Sequence, residues 1–84
     1  MKIIKRNKSE EEFNASKIVN AVTKANAVVE EDDKLTEAQI QEIASSVMEH
    51  ARAISRALSV EEIQDLVEKQ IMAHGAYEVA KQYI

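Results

Sequence analysis

Residues 2–18 read KIIKRNKSEEEFNASKI, and this stretch decides how the chain begins to fold. It predicts a β-hairpin with strands over 2–6 and 10–13 and with Asn7-Lys8 at the tip. Asparagine tolerates the left-handed backbone that such tips need. Lys8 suits a turn less well than glycine would, because its side chain disfavours that conformation.

Helical signals dominate the rest of the chain, which has no proline and one glycine. Asn14, Thr36 and Ser59 are good N-cap residues, and the last two have Gln or Glu three positions later, which completes a capping box. Gly75 is placed to end a third helix in the left-handed conformation. We expect a short fourth helix over 76–84.

Apolar residues recur at helical spacing after each of these starts. The stripes are Ile18, Val22, Ala25 and Val29; then Ile40, Ile43, Ala44, Val47, Ala51 and Ile54; then Ile63, Leu66, Val67 and Ile71; and finally Val79, Ala80 and Tyr83. We expect the acidic run 30–33 to end the first helix as a solvated loop. The predicted fold class is α+β and mainly α: a helical bundle covered by a short amino-terminal β-hairpin.

Length, composition and charge exclude several classes of protein. The 84 residues suffice for one small domain, 1–84, and 45% are hydrophobic while 31% are charged. The sequence has no long apolar run and no cysteine, so we expect no membrane span, disulfide or zinc–thiolate site, and a cytoplasmic location. A net charge of -4 argues against broad, non-specific binding to nucleic acid, and we expect no direct nucleic-acid partner. Because the chain stops on Tyr83-Ile84 within a helical pattern, we expect a fragment of a longer protein.

Basic residues are concentrated at the amino terminus. Five of the 11 fall in the first 17 positions: Lys2, Lys5, Arg6, Lys8 and Lys17. If the hairpin folds against the first helix, Lys5, Arg6 and Lys17 could converge on one polyphosphate, because Arg and Lys both recognise phosphate oxygens. The alternative is that Lys5 and Arg6 are solvated edge charges that deter strand aggregation, and spacing alone favours that alternative.

The run Glu10–Glu12 also has two interpretations. Its carboxylates can be solvated surface that pairs across the hairpin, or one of them can accept a hydrogen bond from an adenine amino group or a ribose hydroxyl. His50 and His74 lie on different predicted helices without metal-ligand spacing, and the chain has no glycine-rich phosphate loop or nucleophile elbow. We therefore expect no catalytic site and no metal bound by protein side chains.

Two segments together resemble the ATP-cone domain family. IIKRNKSEEEFNASKI (3–18) is similar to its opening, with a Lys-Arg pair after the first strand, then a turn, Glu, an apolar residue, Asn or Asp, and Lys-Ile. LSVEEIQDLVEKQIMAHGAYEVAKQYI (58–84) is similar to its closing helix pair. The resemblance covers essentially all 84 residues. It implies a four-helix bundle covered by a small mixed sheet, with an extra short strand near Ala57-Leu58.

The resemblance also implies a function. Such a domain binds ATP or dATP, with Mg²⁺ through the phosphates, and regulates a ribonucleotide reductase, of the anaerobic or another type, by allosteric population shift. It has no catalytic site of its own. Its partners would be the catalytic core of the host or another subunit, and a homo-oligomer is left open. The alternative is a helical protein-interaction module without a small-molecule site.

Site residues follow from matching positions. Lys5 and Arg6 match the phosphate-contacting pair and Lys17 a helix-opening phosphate ligand, while Glu11 and Asn14 match positions that recognise adenine.

The remaining matches concern the wall of the site. Ile18, with Phe13 nearby, would supply an apolar wall against the base. Ser59 or Val60 falls where the family often has a threonine near the phosphates, and Gln64 matches a polar position one turn into the third helix. One departure is Lys8, which stands where the family commonly has glycine.

Overall fold

Four helices and a small sheet make up the computed structural model, which describes residues 1–84. In chain order the elements are β1 (Lys2–Ile4), β2 (Glu10–Glu12), α1 (Ala15–Asn26), a 3-10 turn (Glu31–Asp33), α2 (Glu37–Ala53), β3 (Leu58–Ser59), α3 (Val60–Ala73) and α4 (Tyr77–Tyr83). The predicted α+β, mainly helical fold is therefore confirmed. None of the helices is both long and apolar enough to cross a bilayer.

The amino-terminal hairpin forms, with shorter strands than predicted. β1 and β2 are antiparallel, and Ile3 lies opposite Glu11. The backbone N–H of Lys8 donates to the carbonyl of Lys5 at 2.9 Å, and that of Lys5 donates to the carbonyl of Ser9 at 2.8 Å. The tip is therefore the three-residue loop Arg6-Asn7-Lys8 rather than the predicted Asn7-Lys8. Lys8, rather than Asn7, takes the left-handed conformation, with φ of +72°. Asn7 stabilises the turn through its side chain, which accepts a hydrogen bond from the Ser9 backbone N–H at 3.0 Å.

The third strand completes the sheet. β3 pairs in parallel with β1, so the strand order is β2-β1-β3, and Ile3 lies beside Leu58. Both side chains are at least 98% buried and join the sheet to the core of the bundle. The strand begins one residue after the start of the Ala57-Leu58 segment implied by the resemblance.

All three predicted N-caps are present. Asn14 accepts a hydrogen bond from the Ser16 backbone N–H at the start of α1. Thr36 and Ser59 each form a complete capping box, with Gln39 and Glu62 respectively.

The predicted helix stop at Gly75 is also present. Gly75 has φ of +75°. Its N–H bonds to the carbonyl of Met72, and the N–H of Ala76 bonds to that of Ile71. This is the Schellman arrangement, which satisfies the last carbonyls of α3.

The interior is entirely apolar. The 19 buried residues form one hydrophobic cluster, and no polar or charged residue is buried. They are Ile3, Phe13, Ile18, Val22, Ala25, Leu35, Ile40, Ile43, Ala44, Val47, Met48, Ala51, Leu58, Ile63, Val67, Ile71, Ala76, Val79 and Ala80.

Two expectations about the helix stripes were wrong. α1 ends at Asn26 rather than at the acidic run, because the Asn26 side chain bonds to both the N–H and the carbonyl of Leu35 and turns the chain there. Val29 therefore lies after the helix, partly buried against the core. Ile54 is 39% exposed, because α2 ends at Ala53 and the extended backbone of residue 54 takes this side chain off the buried stripe.

Replacing Lys8 with glycine should stabilise the domain. A residue with a Cβ at φ of +72° is strained, whereas glycine adopts this conformation readily. We expect Lys8→Gly to raise the free energy of unfolding by about 1 kcal/mol, measured by urea denaturation. Lys8→Ala is the control, since it removes the charge and keeps the Cβ. An equal effect of both substitutions would contradict the strain explanation.

An ion pair links the loop between α2 and α3 to the first turn of α3. Arg56 Nη1 and Nη2 donate to Glu62 Oε1 and Oε2 at 3.0 and 2.6 Å, and Oε1 also accepts from the Ser59 N–H. The hydrogen bonds from Arg56 and then from the Ser59 backbone lower the pKa of the Glu62 carboxyl from 4.5 to about 2. A lowered folded-state pKa stabilises the fold above pH 4.5, and this contribution is lost as the pH falls towards 2.

Replacing Glu62 with glutamine should therefore make the stability of the fold depend less on pH between pH 4.5 and pH 2. Glu62→Gln keeps an oxygen for the Ser59 N–H but loses the charge that faces Arg56. We expect the variant to be less stable than the parent at pH 7, and the difference to shrink between pH 4.5 and pH 2. Thermal unfolding of parent and variant across that pH range measures the difference. Glu49→Gln is the control, because Glu49 is an exposed carboxylate without an ion pair. A constant difference at every pH would show that the charge of Glu62 has no part in the effect.

Candidate functional site

A hollow of about 390 Å³ lies between the hairpin tip and the start of α3. Its lining residues are Lys5, Arg6, Asn7, Glu11, Val60 and Gln64. The parallel pairing of β1 with β3 produces this arrangement, because β3 runs directly into α3 and thereby places its first turns beside the end of β1. The structure thus brings together four residues predicted for the site from distant parts of the sequence.

Two further hollows adjoin the first. One, of about 270 Å³, is lined by Arg6, Gln64, Asp65, Glu68, Tyr83 and Ile84. The other, of about 550 Å³, is lined by Lys17, Asn20, Ala21, Lys24, Ala25, Val28, Gln64, Gln82 and Tyr83. Gln64 borders all three, and we call the three neighbouring hollows, from the hairpin to α1, the Gln64 groove.

Lys17 connects α1 to the hairpin. Its ammonium donates to the carbonyl of Glu12 at 2.9 Å and lies 3.6 Å from Glu11 Oε2. Lys17 lines the largest hollow, while Glu11 lines the one beside Lys5 and Arg6. The three predicted cations therefore share the groove, although they do not line a single hollow.

The other two cations differ in their partners. Arg6 Nε donates to Glu61 Oε2 at 3.0 Å, and both side chains are largely exposed. Lys5 has no carboxylate within 4 Å, so its ammonium is available to a ligand. An exposed ion pair contributes about 0–1 kcal/mol, so an incoming anion can replace the carboxylate at Arg6 or Lys17 at small cost.

Four other predicted residues do not line the hollow beside Lys5 and Arg6. Phe13 and Ile18 are buried in the core. Asn14 and Ser59 are N-caps, and their side-chain oxygens accept backbone N–H groups. At the position where the match allowed Ser59 or Val60, it is Val60 that lines this hollow.

The groove also contains residues that sequence reasoning missed. Lys24 follows Lys17 by two helical turns, a spacing that places both on one face of α1 and could have revealed it. Tyr83 was predicted only as part of an apolar stripe. Burial and then the nearby charge of Glu68 raise the pKa of the Tyr83 hydroxyl.

A separate hollow of about 320 Å³ lies where the α1–α2 connection meets the turn before α4. Its lining includes three carboxylates, Asp32, Asp33 and Glu78, and one lysine, Lys34, so its charge suits an anionic ligand less well.

Comparison with known proteins gives a family match over the whole chain. The model of the ATP cone domain family matches residues 1–84. Similar curated proteins include the ribonucleoside-diphosphate reductase subunit alpha of Chlamydia pneumoniae, 35% identical over 88 aligned residues and 98% of this chain. The corresponding subunit of Chlamydia trachomatis is 34% identical over 80 residues and 86% of this chain.

A relative of a second kind also matches. The anaerobic ribonucleoside-triphosphate reductase of Haemophilus influenzae is 34% identical over 83 residues and 98% of this chain. The chain spans only 8% of each chlamydial protein and 11% of the Haemophilus protein.

Substitutions of Asn14 should separate its capping role from any contact with a ligand. Asn14→Ala removes the acceptor for the Ser16 N–H, so we expect it to lower the free energy of unfolding by about 1 kcal/mol. Asn14→Ser keeps a good cap and should leave stability nearly unchanged. Urea denaturation measures both. Weaker nucleotide binding by the folded Asn14→Ser variant would assign the amide a second role, in recognition of the base.

Proposed function

This chain belongs to the ATP-cone family, and we propose that it is a regulatory domain that binds ATP or dATP in the Gln64 groove. The observation that carries the proposal is the placement of Lys5, Arg6 and Lys17 around one groove in a chain whose net charge is -4. The lining of the groove contains four cations, Lys5, Arg6, Lys17 and Lys24, and three carboxylates, Glu11, Asp65 and Glu68. Positive charge confined to one groove of an acidic protein favours a compact polyanion over an extended one such as nucleic acid.

The phosphates would bind at the cations. Arg6 offers a planar fork of donors that suits two phosphate oxygens, and Lys5 and Lys17 add mobile ammonium groups. Gln64 borders all three hollows, and its amide can donate to a phosphate or a sugar oxygen. Mg²⁺ would enter with the triphosphate, with phosphate oxygens as its main ligands.

The base would bind next to the phosphates, at Glu11. Glu11 can accept a hydrogen bond from the adenine amino group, and Val60 supplies an apolar surface in the same hollow. Phe13 and Ile18 would support this wall from the core rather than contact the base over a wide area.

The relatives suggest the host. Both a diphosphate and an anaerobic triphosphate reductase align with this chain, so we propose a ribonucleotide reductase of either type as the host. ATP and dATP differ by one ribose hydroxyl. The two nucleotides can set different activities only through different affinities for two arrangements of the domain against its partner.

Removing the hairpin cations should weaken nucleotide binding. We expect the double variant Lys5→Ala, Arg6→Ala to bind ATP and dATP at least about tenfold more weakly than the parent chain, because two phosphate donors are lost. Isothermal titration calorimetry with Mg²⁺ present measures this. Lys34→Ala is the matched control, since Lys34 lies outside the groove and pairs with Glu31. No heat from the folded parent chain at millimolar nucleotide would refute the proposal and favour a protein-interaction module.

A further inference from the structure

The Arg6–Glu61 contact differs from the other arginine–carboxylate pair in the molecule. Arg56 and Glu62 share two hydrogen bonds, and Glu62 also belongs to a capping box, so that pair is part of the scaffold. Arg6 and Glu61 are 55 residues apart and share a single bond, from Nε to Oε2. Their side chains are 78% and 51% exposed, which leaves the contact open to competition.

Glu61 stands at the edge of the groove. It lies in the first turn of α3, directly after Val60, which lines the hollow together with Arg6. Its carboxylate takes the Nε–H of Arg6, while the terminal nitrogens of the guanidinium make no other hydrogen bond. A phosphate that approaches Arg6 therefore meets a negative charge next to the donors it needs.

We propose that Glu61 is an internal competitor for the phosphate site, whose carboxylate holds Arg6 until a polyphosphate displaces it. This inference rests on the proposed function and adds a specificity-determining residue to it. A polyphosphate carries several negative charges and outcompetes one carboxylate at Arg6. A weakly charged ligand gains less from Arg6 against the same small cost of displacing the carboxylate, so Glu61 lowers the affinity of every anion and leaves highly charged ligands favoured.

A double-mutant cycle tests the proposal on the 84-residue chain. ATP binding is measured by calorimetry for the parent, Glu61→Gln, Arg6→Ala and the double variant. We expect Glu61→Gln to bind ATP about fivefold more tightly than the parent, and to give no gain when Arg6 is already alanine. Glutamine retains the size of the side chain and weakens its hold on Arg6. Far-ultraviolet circular dichroism verifies that each variant is folded.

Glu49→Gln is the matched control, because it makes the same charge change at an exposed carboxylate of α2 without an ion pair. It should change ATP affinity by less than about twofold, since the charge is remote and screened. Equal affinity of parent and Glu61→Gln, or the same gain with and without Arg6, would overturn the role of Glu61. Either result leaves nucleotide binding intact, whereas absence of ATP binding in every variant overturns the proposed function as well.

Discussion

The parallel pairing of β1 with β3 is the contact on which the rest of the structure depends. Ile3 and Leu58 are adjacent across it and almost completely buried. Because β3 continues into α3 without a loop, this pairing brings the hairpin tip against the first turns of a helix that begins more than 50 residues later. The groove, its cations and the Arg6–Glu61 contact all follow from that juxtaposition.

The features of the fold that the sequence predicted correctly depend on residues that are close together in the chain. The N-caps at Asn14, Thr36 and Ser59 and the stop at Gly75 each depend on residues within a few positions, so the pattern contains the whole interaction. β3 has two residues and no periodicity of its own, and only the family resemblance indicated it. The end of α1 was misjudged because it depends on hydrogen bonds between Asn26 and Leu35, nine residues apart.

The candidate site also combines features that local sequence shows with features that depend on contacts between distant residues. The cluster of basic residues near the amino terminus was visible in composition, and Lys5, Arg6, Glu11 and Gln64 do line one hollow. The partner of Arg6 was not visible, because no local pattern relates it to Glu61. Likewise, spacing placed Tyr83 on a buried stripe, but only the packing of α4 beside α1 and α3 shows that it also borders the groove.

The absence of any buried polar residue has a consequence for the evolution of such domains. Contacts between aliphatic side chains are not directional, so the interior tolerates exchanges that conserve volume. Orientation is imposed instead at the periphery, by caps, by the left-handed residues of the turns and by the hydrogen bonds of Asn26. Interior sequences can therefore drift between lineages while the peripheral residues preserve the architecture.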